Sequence, residues 1–171
     1  CHAAWNALMK TSGDRVIQMM VINVVGAVCG LAMVVIFGLP DLSCWPYLLA
    51  SVIVHQFYYT ALILGYRYGE LSDVYPIARG VAPLLVAGGA FIYAGEALRP
   101  GEIAAVILIS TGILSLGLTR QWSSRSKRAL TYALLTGLTI ATYTITDGIG
   151  GRRSGNVLAY IGLLFALEVI P

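Results

Sequence analysis

Long uninterrupted apolar runs constrain the fold of this chain more than any other feature. The first run covers residues 16–39, and Gln18 and Asn23 are its polar side chains. A helix rises about 1.5 Å per residue, so these 24 residues would extend over roughly 36 Å, compared with about 30 Å for the hydrocarbon core of a bilayer. The run therefore predicts a transmembrane helix.

Five further runs of this kind follow along the sequence, at 47–66, 74–94, 103–119, 129–149 and 156–171. Across the chain, 58% of residues are hydrophobic and 11% are charged. In an average soluble domain roughly 45–50% of residues are apolar and about 25% are charged. The charged residues lie mostly between the runs, as they do in proteins that cross a membrane several times. We therefore predict an all-α, polytopic transmembrane helix bundle without a β-sheet.

The two ends of the sequence predict a truncated form of a longer bundle. Residues 1–10 resemble the last turns of a helix, and the last run is still apolar where the sequence stops. Counting that first helix, five helices precede the basic segment 120–128. An odd number of helices places a second set upside down relative to the first, which is the inverted-repeat plan of many secondary transporters. We expect a first five-helix repeat at 1–119, a basic linker at 120–128 and the start of a second repeat at 129–171.

The run at 74–94 contains an unusual group of residues near its start. Pro76 and Pro83 lack backbone N–H groups, and the carbonyl groups freed in this way must be met by neighbouring groups or by water. Arg79 lies between them, and an Arg that faces lipid at full depth costs about 2.5–3.5 kcal/mol. These features favour a polar pocket in which Arg79 and Tyr75 bind an anionic or carbonyl-bearing part of a substrate. A helix that simply begins at Pro76, with Arg79 reaching the membrane surface, is the alternative.

The run at 47–66 carries polar side chains on one helical face. His55, Tyr59 and Tyr66 are separated by four and then seven residues, which places them on the same side of a helix. This face suits either a substrate cavity or a contact with another helix, and both interpretations stay open. We take His55 and Tyr59 as candidate substrate-binding residues, together with Trp5 and Asn6 near the end of the first helix.

Glu168 is an acidic residue within the last apolar run. It follows Asn156 by twelve residues, which corresponds to about 18 Å along a helix and to the middle of a bilayer. A carboxylate at this depth is expected either to couple transport to a proton or to face a helix beyond the printed sequence. Both interpretations stay open.

Gly26 and Gly30 lie four residues apart in the first run. Small residues at this spacing let two membrane helices approach closely. We interpret the pair as structural and expect it to contact another helix of the same protomer.

Four local sequences together resemble a known family. They are HAAWN at 2–6, YRYGEL at 66–71, YPIARG at 75–80, and GEAL at 95–98 followed by Pro100. In these motifs the chain resembles the EamA-type members of the drug/metabolite transporter superfamily, over essentially its whole length. The resemblance implies ten helices in two inverted five-helix halves, cytoplasmic termini and a multi-pass protein of the inner cell membrane. It also implies a central cavity through which small metabolites move by alternating access, often outward.

The basic residues favour one orientation in the membrane. Numbering the loops from the end of the first helix, seven basic residues lie in odd loops and three in even loops. The odd loops hold Lys10, Arg15, Arg67, Arg120, Arg125, Lys127 and Arg128, and the even loops hold Arg99, Arg152 and Arg153. The positive-inside rule then predicts that the odd loops are cytoplasmic. A relative with a cytoplasmic N-terminus would place them outside, so the orientation stays open.

Other classes of function have less support in the sequence. No paired acidic or histidine set, nucleophile elbow or glycine-rich phosphate loop is present, so we expect no catalytic residues, no metal and no cofactor. The single short basic segment beside a membrane run gives no support for nucleic-acid binding. We expect a secondary transporter, acting as an exporter of amino-acid-like or other small organic solutes. Its partners would be the solute and the bilayer, and it would be a monomer or a homodimer. A membrane scaffold or assembly subunit is the alternative, followed by a membrane-embedded enzyme.

Overall fold

Apart from one 3-10 turn and short connections, the part of the chain that the structure describes is α-helical. A computed structural model describes residues 15–93, 98–118 and 124–168, and these ranges contain six α-helices and no β-strand. A 3-10 turn at Leu42–Cys44 directly precedes the second helix. The helices are α1 (Arg15–Phe37), α2 (Trp45–Tyr68), α3 (Leu71–Tyr93), α4 (Pro100–Leu118), α5 (Ser124–Arg153) and α6 (Val157–Leu167). The prediction of an all-helical chain is confirmed over these ranges.

Within the described residues, four segments are long and apolar enough to cross a membrane. They are Met20–Phe37, Leu42–Tyr68, Leu71–Tyr93 and Lys127–Arg153. The apolar parts of α4 and α6, at Pro100–Ser115 and Val157–Leu167, are shorter. Four of the six predicted runs therefore have the length and composition of a membrane span, which is the property expected of a membrane protein.

Local sequence sets the ends of two of the helices. Gly38 follows α1 with a φ of 81°, and its N–H donates to the Val34 carbonyl at 2.9 Å. This is the left-handed residue that commonly ends a helix, and glycine adopts it without steric cost. Asn156 precedes α6, where its side-chain oxygen accepts from the N–H groups of Leu158 and Ala159 at 3.0 and 3.4 Å. The asparagine thus satisfies two donors that the helix itself leaves open.

The helices divide into two compact units, Cys1–Cys44 with Gly151–Pro171, and Trp45–Gly150. In the first unit α1 packs along α6, a pairing that the sequence did not predict. The helices approach each other closely at Gly30 and Gly162. A Cβ added at Gly30 would lie 2.5 Å from the Gly162 carbonyl oxygen, and one added at Gly162 would lie 2.8 Å from the Met33 Cβ. Gly26 has nothing within 4 Å of such a Cβ, so of the predicted pair Gly30 makes the close contact.

Hydrogen bonds join the segment after α1 to the turn before α6, also within the first unit. The Asp41 N–H donates to the Ser154 carbonyl at 3.0 Å, and the Ser43 hydroxyl donates to the Arg153 carbonyl at 2.7 Å. Gly155 has a φ of 67°, and a Cβ there would lie 2.5 Å from a carboxylate oxygen of Asp41. This connection holds one end of α6 beside the end of α1.

The second unit has its core between α3 and α5. Val74 and Ile77 of α3 are buried against Ala129 and Ala133 of α5, whose small side chains let the helices approach. The partly buried side chains around this core are Tyr66, Tyr68, Val81 and Leu130. The helix α5 begins at Ser124, inside the segment predicted as a basic linker, so residues 124–128 are helical.

Candidate functional site

His55 of α2 is the buried ionisable side chain around which the candidate site is built. It lies midway in the candidate span Leu42–Tyr68, 13 residues from either end. At about 1.5 Å per residue this is roughly 20 Å from each end of the segment. The residue is 8% exposed. Ionisable side chains at this depth are costly to bury, and in membrane proteins they commonly mark functional sites.

A hydrogen bond to the preceding turn of α2 fixes the protonation pattern of the imidazole. The Nδ1 atom lies 2.9 Å from the carbonyl oxygen of Ser51 and 3.3 Å from its hydroxyl oxygen. Because a carbonyl oxygen only accepts hydrogen bonds, Nδ1 carries the proton and donates it. In the neutral ring the lone pair is consequently on Nε2.

Three tyrosine rings surround the imidazole. Tyr143 of α5 stacks on it with ring centroids 4.1 Å apart and an interplanar angle of 26°. Tyr58 and Tyr59, one turn along α2, have centroids 6.3 and 6.4 Å from that of His55, and Tyr58 meets Tyr143 edge-on at 5.8 Å. We call these four residues the His55 cluster. The cluster joins α2 to α5 within the second unit and places three aromatic rings and an imidazole at one point along two candidate membrane spans.

Tyr75 and Arg79 form a second polar group, on α3. The Arg79 guanidinium carbon lies 5.6 Å from the centroid of the Tyr75 ring, and both residues are exposed. They lie roughly 100–140° around the helix from the buried Val74, so they point away from the core with α5. Gly80 faces α4, where an added Cβ would lie 2.7 Å from Leu114. The pair therefore occupies a third face of α3.

Pro83 adds a backbone group to the polar face of α3. The helix is continuous from Leu71 to Tyr93 with Pro76 and Pro83 inside it. Because Pro83 has no N–H, the Arg79 carbonyl loses the donor that a helix would normally supply four residues later. Arg79 therefore has both a guanidinium that donates hydrogen bonds and a backbone carbonyl free to accept one. A polar ligand or a water molecule could bind to both groups.

The predicted site residues fall into separate groups. His55 and Tyr59 are in the His55 cluster, and Arg79 with Tyr75 is on the exposed face of α3. Glu168 is buried at the end of α6, in the first unit, and its backbone N–H donates to the Leu164 carbonyl at 3.0 Å. Trp5 and Asn6 lie outside the described residues.

Sequence reasoning missed two members of the His55 cluster. Tyr58 follows His55 by three residues, so helical spacing alone could have placed it on the same face. Tyr143 is 88 residues away on α5, and no local pattern indicates that it stacks on the imidazole. Its place depends on how α2 and α5 pack.

An apolar pocket of about 410 Å³ lies between α3 and α4. Its lining residues are all apolar: Leu84, Ala87, Gly88, Phe91, Leu98, Ile103, Val106 and Ile107. Without polar groups it offers nothing to orient a charged solute, so it is a poor candidate for the substrate site.

Neither a metal site among the described residues nor a known relative adds to this geometry. Within the described ranges, no group of three or more His, Cys, Asp or Glu side chains is placed to hold a metal ion. A scan of protein-family models, a search of curated proteins and a search of solved structures each returned no match to the chain.

Proposed function

We propose that this chain belongs to a secondary transporter that moves small organic solutes across a membrane by alternating access. The observation that carries the proposal is the His55 cluster, a buried imidazole with three tyrosines at the middle of a candidate membrane span. An ionisable side chain that faces lipid is energetically costly. Ionisable and hydroxyl-bearing side chains inside a helix bundle instead commonly mark solute and ion pathways.

Arg79 and Tyr75 are the proposed contact for an anionic or carbonyl-bearing part of the solute. The guanidinium is a planar fork of donors that binds a carboxylate in two places, whereas a lysine has the charge without that geometry. Tyr75 lies beside it and holds one face of the guanidinium. Amino-acid-like or other carboxylated solutes fit this chemistry.

The wider architecture is part of the same proposal. The four candidate spans would belong to a ten-helix, inverted-repeat, multi-pass protein of the inner membrane, acting as an exporter and present as a monomer or homodimer. Trp5, Asn6, His55 and Tyr59 are the other proposed substrate-binding residues. Glu168 would couple transport to a proton, and Glu168→Gln would then remove at least part of the pH dependence of flux.

Uptake by the purified full-length protein in liposomes tests the proposal. Radiolabelled amino acids and carboxylic acids are presented one at a time, with protein-free liposomes as the blank. We expect at least one solute to enter faster than into the blank. Absence of flux for every solute in the panel would favour the scaffold or assembly subunit instead.

Variants of Arg79 test its role once a solute is found. Loss of a hydrogen-bonded charge contact costs about 1.5–3 kcal/mol, so Arg79→Lys and Arg79→Ala should each lower apparent affinity roughly tenfold or more. Arg99→Ala, which removes an exposed guanidinium beside α4, is the matched control and should leave flux unchanged. Normal transport by folded Arg79→Ala would show that Arg79 only anchors the helix at the membrane surface.

A further inference from the structure

We infer that one end of the second unit binds the headgroup of an anionic phospholipid. The site consists of Arg67 and Tyr68 at the end of α2 and of Lys127, Arg128 and Tyr132 near the start of α5. We call these five residues the basic–aromatic surface. The inference concerns how the chain interacts with its bilayer, so it holds whether or not the chain transports a solute.

A close backbone contact brings the two helix ends together. Gly69 directly follows α2, and a Cβ added there would lie 2.7 Å from the Ala129 Cβ of α5. Arg67 precedes Gly69 by two residues, and Arg128 is next to Ala129. The contact therefore places arginines from two different helices at the same end of the unit.

Two stacked tyrosines hold Arg128 at this surface. The rings of Tyr68 and Tyr132 have centroids 5.7 Å apart and an interplanar angle of 9°. The Arg128 guanidinium carbon lies 5.6 Å from the Tyr68 centroid. The ring attracts the cation through its electron-rich face and not through an ordinary hydrogen bond. The guanidinium is thus positioned without using the N–H donors that would bind an oxygen ligand.

The surface lies at the boundary of two candidate membrane spans. The segment Leu42–Tyr68 ends, and the segment Lys127–Arg153 begins, at members of the surface. Arg67, Lys127 and Arg128 are exposed, whereas both tyrosines are half-buried. Tyrosines and long basic side chains favour the level of the lipid headgroups, where their apolar and polar parts both find suitable surroundings. Lipid phosphates occupy the same level.

Positive charge predominates in the segments that form the surface. Over residues 66–73 and 120–132 the sequence has five basic and two acidic side chains, so five minus two leaves a net charge of +3. The basic residues are Arg67, Arg120, Arg125, Lys127 and Arg128, and the acidic residues are Glu70 and Asp73. Asp73 is in the first turn of α3, where the positive end of the helix dipole favours a carboxylate. The excess of basic residues attracts an anion to the surface.

A phosphodiester with a net negative charge fits this chemistry. Each guanidinium is a planar fork that binds two phosphate oxygens, and Lys127 adds a point charge. A phosphatidylcholine headgroup carries its own ammonium group, which the positive surface would repel. A phosphatidylglycerol headgroup lacks that ammonium group, and its acyl chains keep the phosphate at the membrane surface. Free phosphate has no such chains, so we assign the site to lipid.

Native mass spectrometry of the full-length protein in uncharged detergent tests the inference. The protein is titrated with phosphatidylglycerol or with phosphatidylcholine of the same acyl chains, so that only the headgroup differs. We expect phosphatidylglycerol to bind more tightly. A higher concentration of ammonium acetate should weaken its binding, because salt screens exposed charges. Equal affinity for the two lipids would overturn the inference.

Single substitutions test whether the lipid binds at this surface. One basic side chain near anionic lipid changes the affinity roughly fivefold, so Arg67→Gln and Arg128→Gln should each weaken phosphatidylglycerol binding by about that factor. Tyr68→Leu keeps every charge but removes the ring beside the Arg128 guanidinium, and it should weaken binding about two- to tenfold. Arg99→Gln, which removes an exposed guanidinium next to α4, is the matched control and should leave the affinity unchanged.

Three further results would overturn the inference. Equal weakening by Arg99→Gln and Arg128→Gln would show that any exposed cation serves. Unchanged affinity in folded Arg67→Gln and Arg128→Gln would show that the lipid binds elsewhere. Displacement of phosphatidylglycerol by an equal concentration of ammonium phosphate would assign the surface to soluble phosphate. The lipid comparison and the salt titration use the unmodified protein, so they decide the inference even if a variant fails to fold.

Discussion

Replacing Gly30 by alanine places a methyl group where α1 lies close against α6. The added Cβ would lie 2.5 Å from the Gly162 carbonyl oxygen, 2.7 Å from the Ala166 nitrogen and 2.9 Å from the Phe165 Cβ. These atoms belong to the backbone or to the base of a side chain, so none can rotate away. Restoring an ordinary contact to the carbonyl oxygen requires a shift of about 0.9 Å, the difference between 2.5 and 3.4 Å. We therefore expect the helices to separate.

The expected loss of stability follows from two opposing terms. Overpacking a close contact costs about 1–3 kcal/mol, whereas alanine in place of a helical glycine gains about 0.5–1 kcal/mol. We expect Gly30→Ala to lower the free energy of unfolding by up to about 2.5 kcal/mol after this offset. Gly26→Ala lies one turn earlier in α1 and meets nothing within 4 Å, so it should show only the gain.

Unfolding of the full-length protein in mixed micelles, titrated with SDS and followed by circular dichroism, measures both variants. The two alanines replace the same residue type in the same helix, so differences in helix propensity cancel between them. Gly30→Ala should unfold at a lower SDS fraction than Gly26→Ala. Equal stability of the two variants would refute the close approach of α1 and α6.

Three further predictions concern a cap, a stacking contact and the membrane orientation. Asn156→Ala removes the N-cap of α6 and should lower the free energy of unfolding by about 1 kcal/mol in the same assay. Asn156→Ser keeps a capping side chain and should lose much less stability. Equal losses in the two variants would contradict the cap. Tyr143→Ala removes the half-buried ring that stacks on His55 and should lower the free energy of unfolding by about 3 kcal/mol, the lower end of the range for aromatic truncations; a harmless alanine would disprove the stacking. In a cysteine-free background, Ser72→Cys is an exposed probe near Arg67 and should react with an impermeant maleimide from the cytoplasmic side. Labelling from outside intact cells would instead support the orientation implied by the resemblance.

The helices were predictable because their signals are local. The apolar run at 16–39 became α1, Arg15–Phe37, and the run at 47–66 became α2, Trp45–Tyr68. Gly38 and Asn156 explain where one helix ends and another begins through their own backbone and side-chain chemistry. Continuous hydrophobicity over about 20 residues needs no tertiary information to predict a membrane-length helix.

The contacts between helices were not predictable in the same way. Gly26 and Gly30 belong to one spacing pattern, yet only Gly30 lies against α6, because the rotation and partner of α1 decide which glycine is covered. Tyr143 stacks on His55 because of the register between α2 and α5, which neither helix specifies alone. Helical periodicity placed His55 and Tyr59 on one face, but it could not identify what that face contacts.

Solute counterflow in liposomes tests the central claim of alternating access most directly. Liposomes containing the full-length protein are loaded with an unlabelled solute from the active panel and diluted into a trace of the same solute in labelled form. A carrier that exposes one site to each side in turn exchanges the two, so the label should rise inside above its equilibrium level and then decay. Entry of label without this transient excess, or no entry above protein-free liposomes, would contradict the account.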